Sequence, residues 1–435
     1  MKGFIDFWKD TFGIDPILTL LILFVLVFGV FFSILGGDEI TALDIISIAV
    51  FLSPVWVPIA ALAVLLDQWM EYVKVKQIIN TEYVLLEIKL SEDIVRTPLA
   101  METVLNVMFH TGEPGDIVEK YWDGKTRPQF SLEIVSLEGA VHFYIRTRRN
   151  RREIVEAQVY SQYPMVEITE VEDYAARIQY DEKTMDMFVM EEKLEKPDPY
   201  PIKTYVDFGL DKPGLKEEEK IDPMNSILEF MGSLGKGEYC YMQVIVRSHE
   251  PTRQGLFGPK VDWKAEAEGE VKEIIDKLRS GGEQYVVYRP PTEGEKEVMT
   301  ALQRNISKKP FETGIRVLYF GYKEHYNKNR LAGIPTMFRS FQSHSLNNFK
   351  PVFRTMFNWQ IQNPLGRVAR WRKREGFDAY RWRSFLIPPY RRSWAFILSS
   401  EELATVYHFP GRSATTPSME RASSRKAEAP PNLPR

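Results

Sequence analysis

Two uncharged runs near the N-terminus limit most sharply what this chain can fold into. Residues 17–35, ILTLLILFVLVFGVFFSIL, carry no charged side chain, and at about 1.5 Å per helical residue they reach about 28 Å, close to the hydrocarbon thickness of a bilayer. A second uncharged run extends from Ile45 to Leu66 with Pro54 and Pro58 inside it, and membrane helices tolerate proline better than soluble ones. The runs predict transmembrane helices over about 17–35 and 45–66, making residues 1–80 an anchor in a lipid bilayer. A cleaved signal peptide fits less well, because the first run is longer than an h-region and no A-x-A-like site follows. Lys2 and Lys9 precede the first run, residues 36–44 contain no Lys or Arg, and Lys74 and Lys76 follow the second. Positive flanks stay inside, so both termini and the remaining chain are expected in the cytoplasm.

Beyond the anchor the pattern is that of an α+β chain. Tyr83 to Leu90 reads as a strand, and Thr97-Pro98 supplies a helix N-cap and first-turn proline for the apolar stripe Met101, Leu105, Met108, Phe109. Strands at 130–135 and 141–146, a helix at about 150–162 and a strand at 165–171 complete the order β-α-β-β-α-β, the split βαβ or ferredoxin-like arrangement. A looser second copy is expected after a Lys-, Asp- and Pro-containing linker: a strand at 203–208, a helix opened by Asp222-Pro223, a strand at 239–247, and an inserted charged helix at 264–279. A helix capped by Thr292 and Glu295 and a strand at 314–322 close it. The expected domains are therefore 81–195 and 196–346, both ferredoxin-like, then an irregular Arg- and aromatic-rich segment at 347–410 and a disordered tail at 411–435.

The search for chemistry returns little. Gly124-Lys125-Thr126 matches the end of a phosphate-binding loop, but Glu119 stands where the earlier glycine is required, and Pro128 follows where a helix should start. The six histidines lack metal-ligand spacing. Cys240, the only cysteine, alternates with Tyr239 and Tyr241 in an apolar strand and reads as a buried thiol. No catalytic residue, cofactor or metal is predicted.

The unusual feature is the basic C-terminal part. Residues 351–435 hold fifteen Lys and Arg against six Asp and Glu, whereas the whole chain has a formal charge of -3. Within it Arg370, Trp371, Arg372, Lys373, Arg374, Tyr380, Arg381, Trp382, Arg383, Arg391 and Arg392 form a candidate contact surface. Guanidinium groups bind phosphates and aromatic rings stack on bases, so nucleic acid is one candidate ligand. Anionic lipid, an acidic protein partner and the chain's own acidic domains are the others.

The segments FSLEIVSLEGAVHFYIRT, VEAQVYSQYPMVEITEVEDY, DPMNSILEFMGSLGKGEYCYMQVIVR, PFETGIRVLYFGYKE, FDAYRWRSFLIPPY, LATVYHFPG and KAEAPPNLP resemble a family of uncharacterised bacterial proteins. That family forms, or accompanies, the N-terminal part of type IV secretion and conjugation-type ATPases. In related chains a P-loop motor follows the AEAPPNLP-like segment, whereas this sequence ends at Arg435. The resemblance implies a non-catalytic, membrane-anchored subunit of the bacterial inner (cytoplasmic) membrane that docks a separate cytoplasmic ATPase. A membrane-tethered nucleic-acid-binding protein is the alternative, and self-association into a homo-oligomer is left open.

Overall fold

The computed structural model describes residues 47, 50–51, 53–91, 96–109, 118–119, 122–212, 221–250, 252–253, 260–261, 263–280, 287–288, 290–355, 366–411 and 421–422. Residues 1–80, with 114–125 and 253–259, form one compact unit; 81–113, 126–252 and 260–435 form the other.

In the first unit, helix α1 spans Ser53–Asn80. Here the sequence expectation is corrected. The run at 17–35 lies outside the described residues, and among the described residues no helix is long and apolar enough to cross a membrane. The uncharged described part of α1 ends at Leu66, after which Asp67, Glu71, Lys74 and Lys76 follow in the same helix. From Ser53 to Leu66 is only about 21 Å of helix, well short of a bilayer core. The two transmembrane helices and the inner-membrane location read from hydropathy are therefore not supported.

The second unit is α+β. Its elements begin β1 (Tyr83–Ser91), α2 (Pro98–Met108), β2 (Gln129–Leu137), β3 (Ala140–Arg148), α3 (Arg152–Gln162), β4 (Glu167–Val171), α4 (Tyr174–Arg177) and β5 (Met185–Leu194). They continue with α5 (Asn225–Gly232), β6 (Glu238–Ser248), α6 (Trp263–Leu278), α7 (Glu293–Ile306) and β7 (Pro310–Tyr322). Last come β8 (Phe349–Val352), α8 (Arg367–Arg381), β9 (Phe396–Ser399), α9 (Ser400–Val406) and β10 (Arg421–Ala422). The strands form one sheet in the order β8-β5-β7-β6-β2-β3-β1, with β9 beside β7 and with β4 and β10 beside β1. All pairings are antiparallel except β1 with β10.

Two separate ferredoxin-like domains are thus replaced by one continuous sheet. The join is β2 with β6, paired from Gln129 opposite Arg247 to Leu137 opposite Tyr239. Val244 and Val246 of β6 enter one core while Tyr241 enters another, so β6 has two faces to bury and sits in the sheet interior. Nor is residue 203–208 a strand: it is a turn in which Asp207 Oδ2 accepts from Thr204 N at 2.9 Å and Thr204 Oγ1 at 3.2 Å. Short polar side chains that bond nearby backbone favour turns over strands.

Each sheet face carries its own core. On one side Met101, Val104 and Leu105 of α2, Val155 and Val159 of α3, Ile227 and Met231 of α5 and Leu403 of α9 cover Leu132, Ile134, Met242, Val244, Ile315 and Val317. On the other, Tyr174 of α4 and Phe377 and Tyr380 of α8 cover Val135, Tyr144, Val189, Tyr241, Leu318 and Phe320. The segment expected to be irregular is therefore a working part of the second face, with α8 lying on it.

Candidate partner interface

Alternation along the strands places four polar side chains on the face under α8. Glu133 of β2 stands opposite Gln243 of β6, Gln243 opposite Arg316 of β7, and Arg316 opposite Glu191 of β5. All four are fully buried. They bond along the row: Gln243 Nε2 donates to Glu133 Oε1 at 3.2 Å, Arg316 Nη1 to Gln243 Oε1 at 3.4 Å, and Arg316 Nε to Glu191 Oε1 at 2.7 Å. Buried charge is tolerated only when paired and hydrogen-bonded, and this row meets that condition by drawing on the C-terminal segment.

Arg383 serves the Glu133 end. Its Nε and Nη2 donate to the two Glu133 oxygens at 3.0 and 3.1 Å, and Nη2 also donates to Asp173 Oδ1 at 2.9 Å. Burial alone would raise the Glu133 pKa, but the Arg383 charge and the hydrogen bonds from Arg383, Tyr174 and Ser131 outweigh it and hold the carboxyl at about 2. Arg383 sits at φ 49, a left-handed conformation that costs a non-glycine residue about 1 to 2 kcal/mol; the bidentate contact offsets that cost. Arg392 serves the other end, with Nε 3.1 Å from Glu191 Oε2, a second pair to Glu375, and its guanidinium 4.2 Å from the Phe353 ring. Trp394 Nε1 donates to the same Glu191 oxygen at 3.0 Å. Backbone carbonyls close the remainder: Gln243 Nε2 reaches Tyr380 O, and Arg316 Nη2 reaches Ser384 O.

α8 is held down by shape as well. A Cβ on Gly376 would come 2.6 Å from Val189 Cγ1, so the glycine permits close approach of helix to strand. Phe377 meets Phe320 at 6.2 Å and Tyr180 at 6.1 Å, and Tyr380 meets Tyr241 at 5.5 Å.

The structure divides the eleven residues singled out by sequence. Tyr380, Arg383 and Arg392 point inward and are occupied as described. Arg372 donates to Arg354 O at 2.8 Å and lies 5.3 Å from the Phe353 ring, while Lys373 pairs with Asp186. Arg370, Trp371, Arg374, Arg381, Trp382 and Arg391 are exposed. Together with Arg367, the exposed members of α8 fall at i, i+3, i+4, i+7 and i+14, one helical face. Trp371 is 58% exposed and braced edge-on by Phe353 at 6.1 Å; Trp382, just past the helix, is 39% exposed. Glu182 answers two of the charges, with Arg374 at 3.2 Å and Arg370 at 3.9 Å.

Sequence reasoning missed the polar row, because no local pattern shows that Glu133, Gln243, Arg316 and Glu191 share a register. It also missed the buried pair of His408 Nε2 with Asp222 Oδ2 at 3.0 Å, in which His408 Nδ1 faces Ala404 O at 2.9 Å. The Gly124-Lys125-Thr126 triplet has no regular secondary structure, with Gly124 at φ 64 and Lys125 paired with Glu119. Among the described residues no group of His, Cys, Asp and Glu could hold a metal ion.

The profile of a family described as Domain of unknown function (DUF8128) matches residues 103–422, most of the chain. The chain belongs to this family. The DUF8128 region contains the complete polar row, Arg383 and all of α8, so the clamp and the face above it are internal to the family's domain. No curated protein matches the chain.

Proposed function

We propose that this protein is a non-catalytic docking subunit of a type IV secretion or conjugation-like machine, and that the outer face of α8 binds a separate P-loop ATPase. The observation that carries the reading is the division of α8. Its inner face is fixed by Gly376, Phe377, Tyr380 and the Arg383 clamp, while its outer face presents Trp371, Trp382 and several arginines to solvent. Tryptophan and arginine are the residue types that concentrate binding energy in interfaces, and a surface already ordered loses little entropy on docking. The excess of arginine over carboxylate on this face fits an acidic partner surface. The partner's identity as an ATPase comes from the resemblance of the sequence to the N-terminal part of secretion ATPases.

The test uses the full chain and a P-loop ATPase encoded beside it. Trp371→Ala and Trp382→Ala should each weaken binding by about 1 to 4 kcal/mol, and for Trp371→Ala, whose side chain is mostly in solvent, the protein's own unfolding midpoint should stay essentially unchanged. Unchanged binding by the double variant would end the docking reading. Binding of duplex DNA that falls steeply with salt and is lost on Arg370→Glu and Arg374→Glu, with the ATPase indifferent to all four changes, would instead favour nucleic acid.

A further inference from the structure

α1 exposes a second surface, unrelated to α8. Leu62, Leu65, Trp69, Tyr72, Lys76 and Ile79 are all exposed, the five apolar ones by between 38% and 63%. Their spacing alternates three, four, three, four, three, the a/d repeat of a coiled-coil seam, which is narrower than the stripe a helix turns toward a globular core. Elsewhere on the helix Val73 and Ile78 are buried, and the Val73 backbone lies 2.4 Å from where a Cβ on Gly124 would stand. The repeat sets the shape of what can cover the seam: another helix, in contact over about 26 Å.

We infer that the occupant is α1 of a second copy of this chain, running antiparallel. The spacing of the seam reads alike from both ends, and its residues match in kind at the ends, Leu62 and Ile79, and at the centre, Trp69 and Tyr72, with Leu65 and Lys76 between them. Reversed on itself, it places Leu62 against Ile79 of the second copy, Leu65 against Lys76, and Trp69 against Tyr72, each contact occurring twice, as a two-fold axis requires. The parallel arrangement would set Lys76 against its own equivalent inside an apolar seam, whereas the antiparallel one lays its stem along Leu65 and leaves the ammonium free to reach water. The centre is prepared for stacking: within one copy the Trp69 and Tyr72 rings lie 6.0 Å apart at 42°, and Trp122 meets Trp69 edge-on at 5.7 Å.

The purified full-length protein should show twice the chain mass by light scattering, and Leu65→Glu, at an exposed position, should halve that mass with unchanged circular dichroism. Two single-cysteine additions report direction. On mild oxidation a mixture of Leu62→Cys and Ile79→Cys chains should cross-link, while Leu65→Cys alone should not, and the native Cys240 is buried and contributes no background. A monomeric wild-type mass, a dimer that survives Leu65→Glu, or cross-linking of Leu65→Cys to itself would each overturn the inference.

Discussion

Arg383→Met removes one side of the buried clamp and leaves Glu133, which has no solvent exposure, with only neutral donors. The cost can be reached by two routes. Holding Glu133 at about 2 instead of its ordinary 4.5 corresponds to about 3 kcal/mol at about 1.4 kcal/mol per pH unit. Stranding one member of a buried ion pair generally costs about 3 to 5 kcal/mol. A loss of about 3 to 5 kcal/mol is therefore expected at pH 7. Methionine is not glycine, so it bears the same left-handed backbone cost as arginine and the substitution isolates the side chain. Because the folded pKa of Glu133 lies below its unfolded value, its contribution is complete above about pH 4.5 and fades as pH falls toward 2; the gap between wild type and variant should narrow over that window. Adding Glu133→Gln to Arg383→Met removes the stranded charge and should recover most of the loss. Urea unfolding followed by far-ultraviolet circular dichroism measures all three proteins. A single-variant loss below about 1 kcal/mol, or a double variant no more stable than the single, would refute the clamp, since stranding a buried carboxylate costs several times that.

Gly376→Ala should destabilise by about 1 to 3 kcal/mol despite alanine's better helix propensity, because the new methyl group meets Val189; thermal unfolding checks this. Glu192 is buried with Oε2 unpartnered among the described residues, and burial raises its pKa to about 8. Its raised value makes the wild type lose stability as pH climbs from about 4.5 through 8, so Glu192→Gln should make that decline shallower, measured as unfolding midpoints from pH 5 to 9, the rest coming from Asp198 and Glu402, which burial raises to about 7. Burial also pushes the Cys240 thiol far above its usual range, so a maleimide should label it only at the rate of unfolding, and fast labelling of native protein would contradict the packing.

How much could be read from sequence depended on the range of the interaction. The 3.6-residue spacing of Met101 and Leu105 located α2, and the Thr292 and Glu295 capping box stands in the structure at the start of α7, because those signals are local. The pairing of β2 with β6 joins residues about a hundred positions apart, and nothing within either strand specifies it. The polar row is a property of that pairing, so Glu133 and Gln243 looked like ordinary polar positions. Arg383 was hidden differently: arginine is almost never fully buried unless paired, and its partners Glu133 and Asp173 are more than two hundred positions away. Hydropathy misled at 45–66 because it weighs residues one by one, while the described helix continues directly into Asp67, Glu71, Lys74 and Lys76.

The two faces of α8 also decide how binding experiments must be read. A substitution beneath the helix, at Arg383 or Tyr380, lowers the population of folded protein, and any partner that recognises the outer face then binds less in proportion to that population. A substitution at Trp371 acts mainly on the contact itself, because that side chain is 58% exposed and carries little of the fold's apolar burial, whereas Trp382, 39% exposed, contributes to both. Binding must therefore be measured alongside unfolding for each variant. Loss of affinity that scales with loss of stability reports the clamp, whereas loss of affinity at constant stability reports the interface. If Arg383→Met weakened partner binding under conditions where the variant remained fully folded, the clamp would be setting the orientation of α8 as well as its stability, and the helix would be a positioned recognition element.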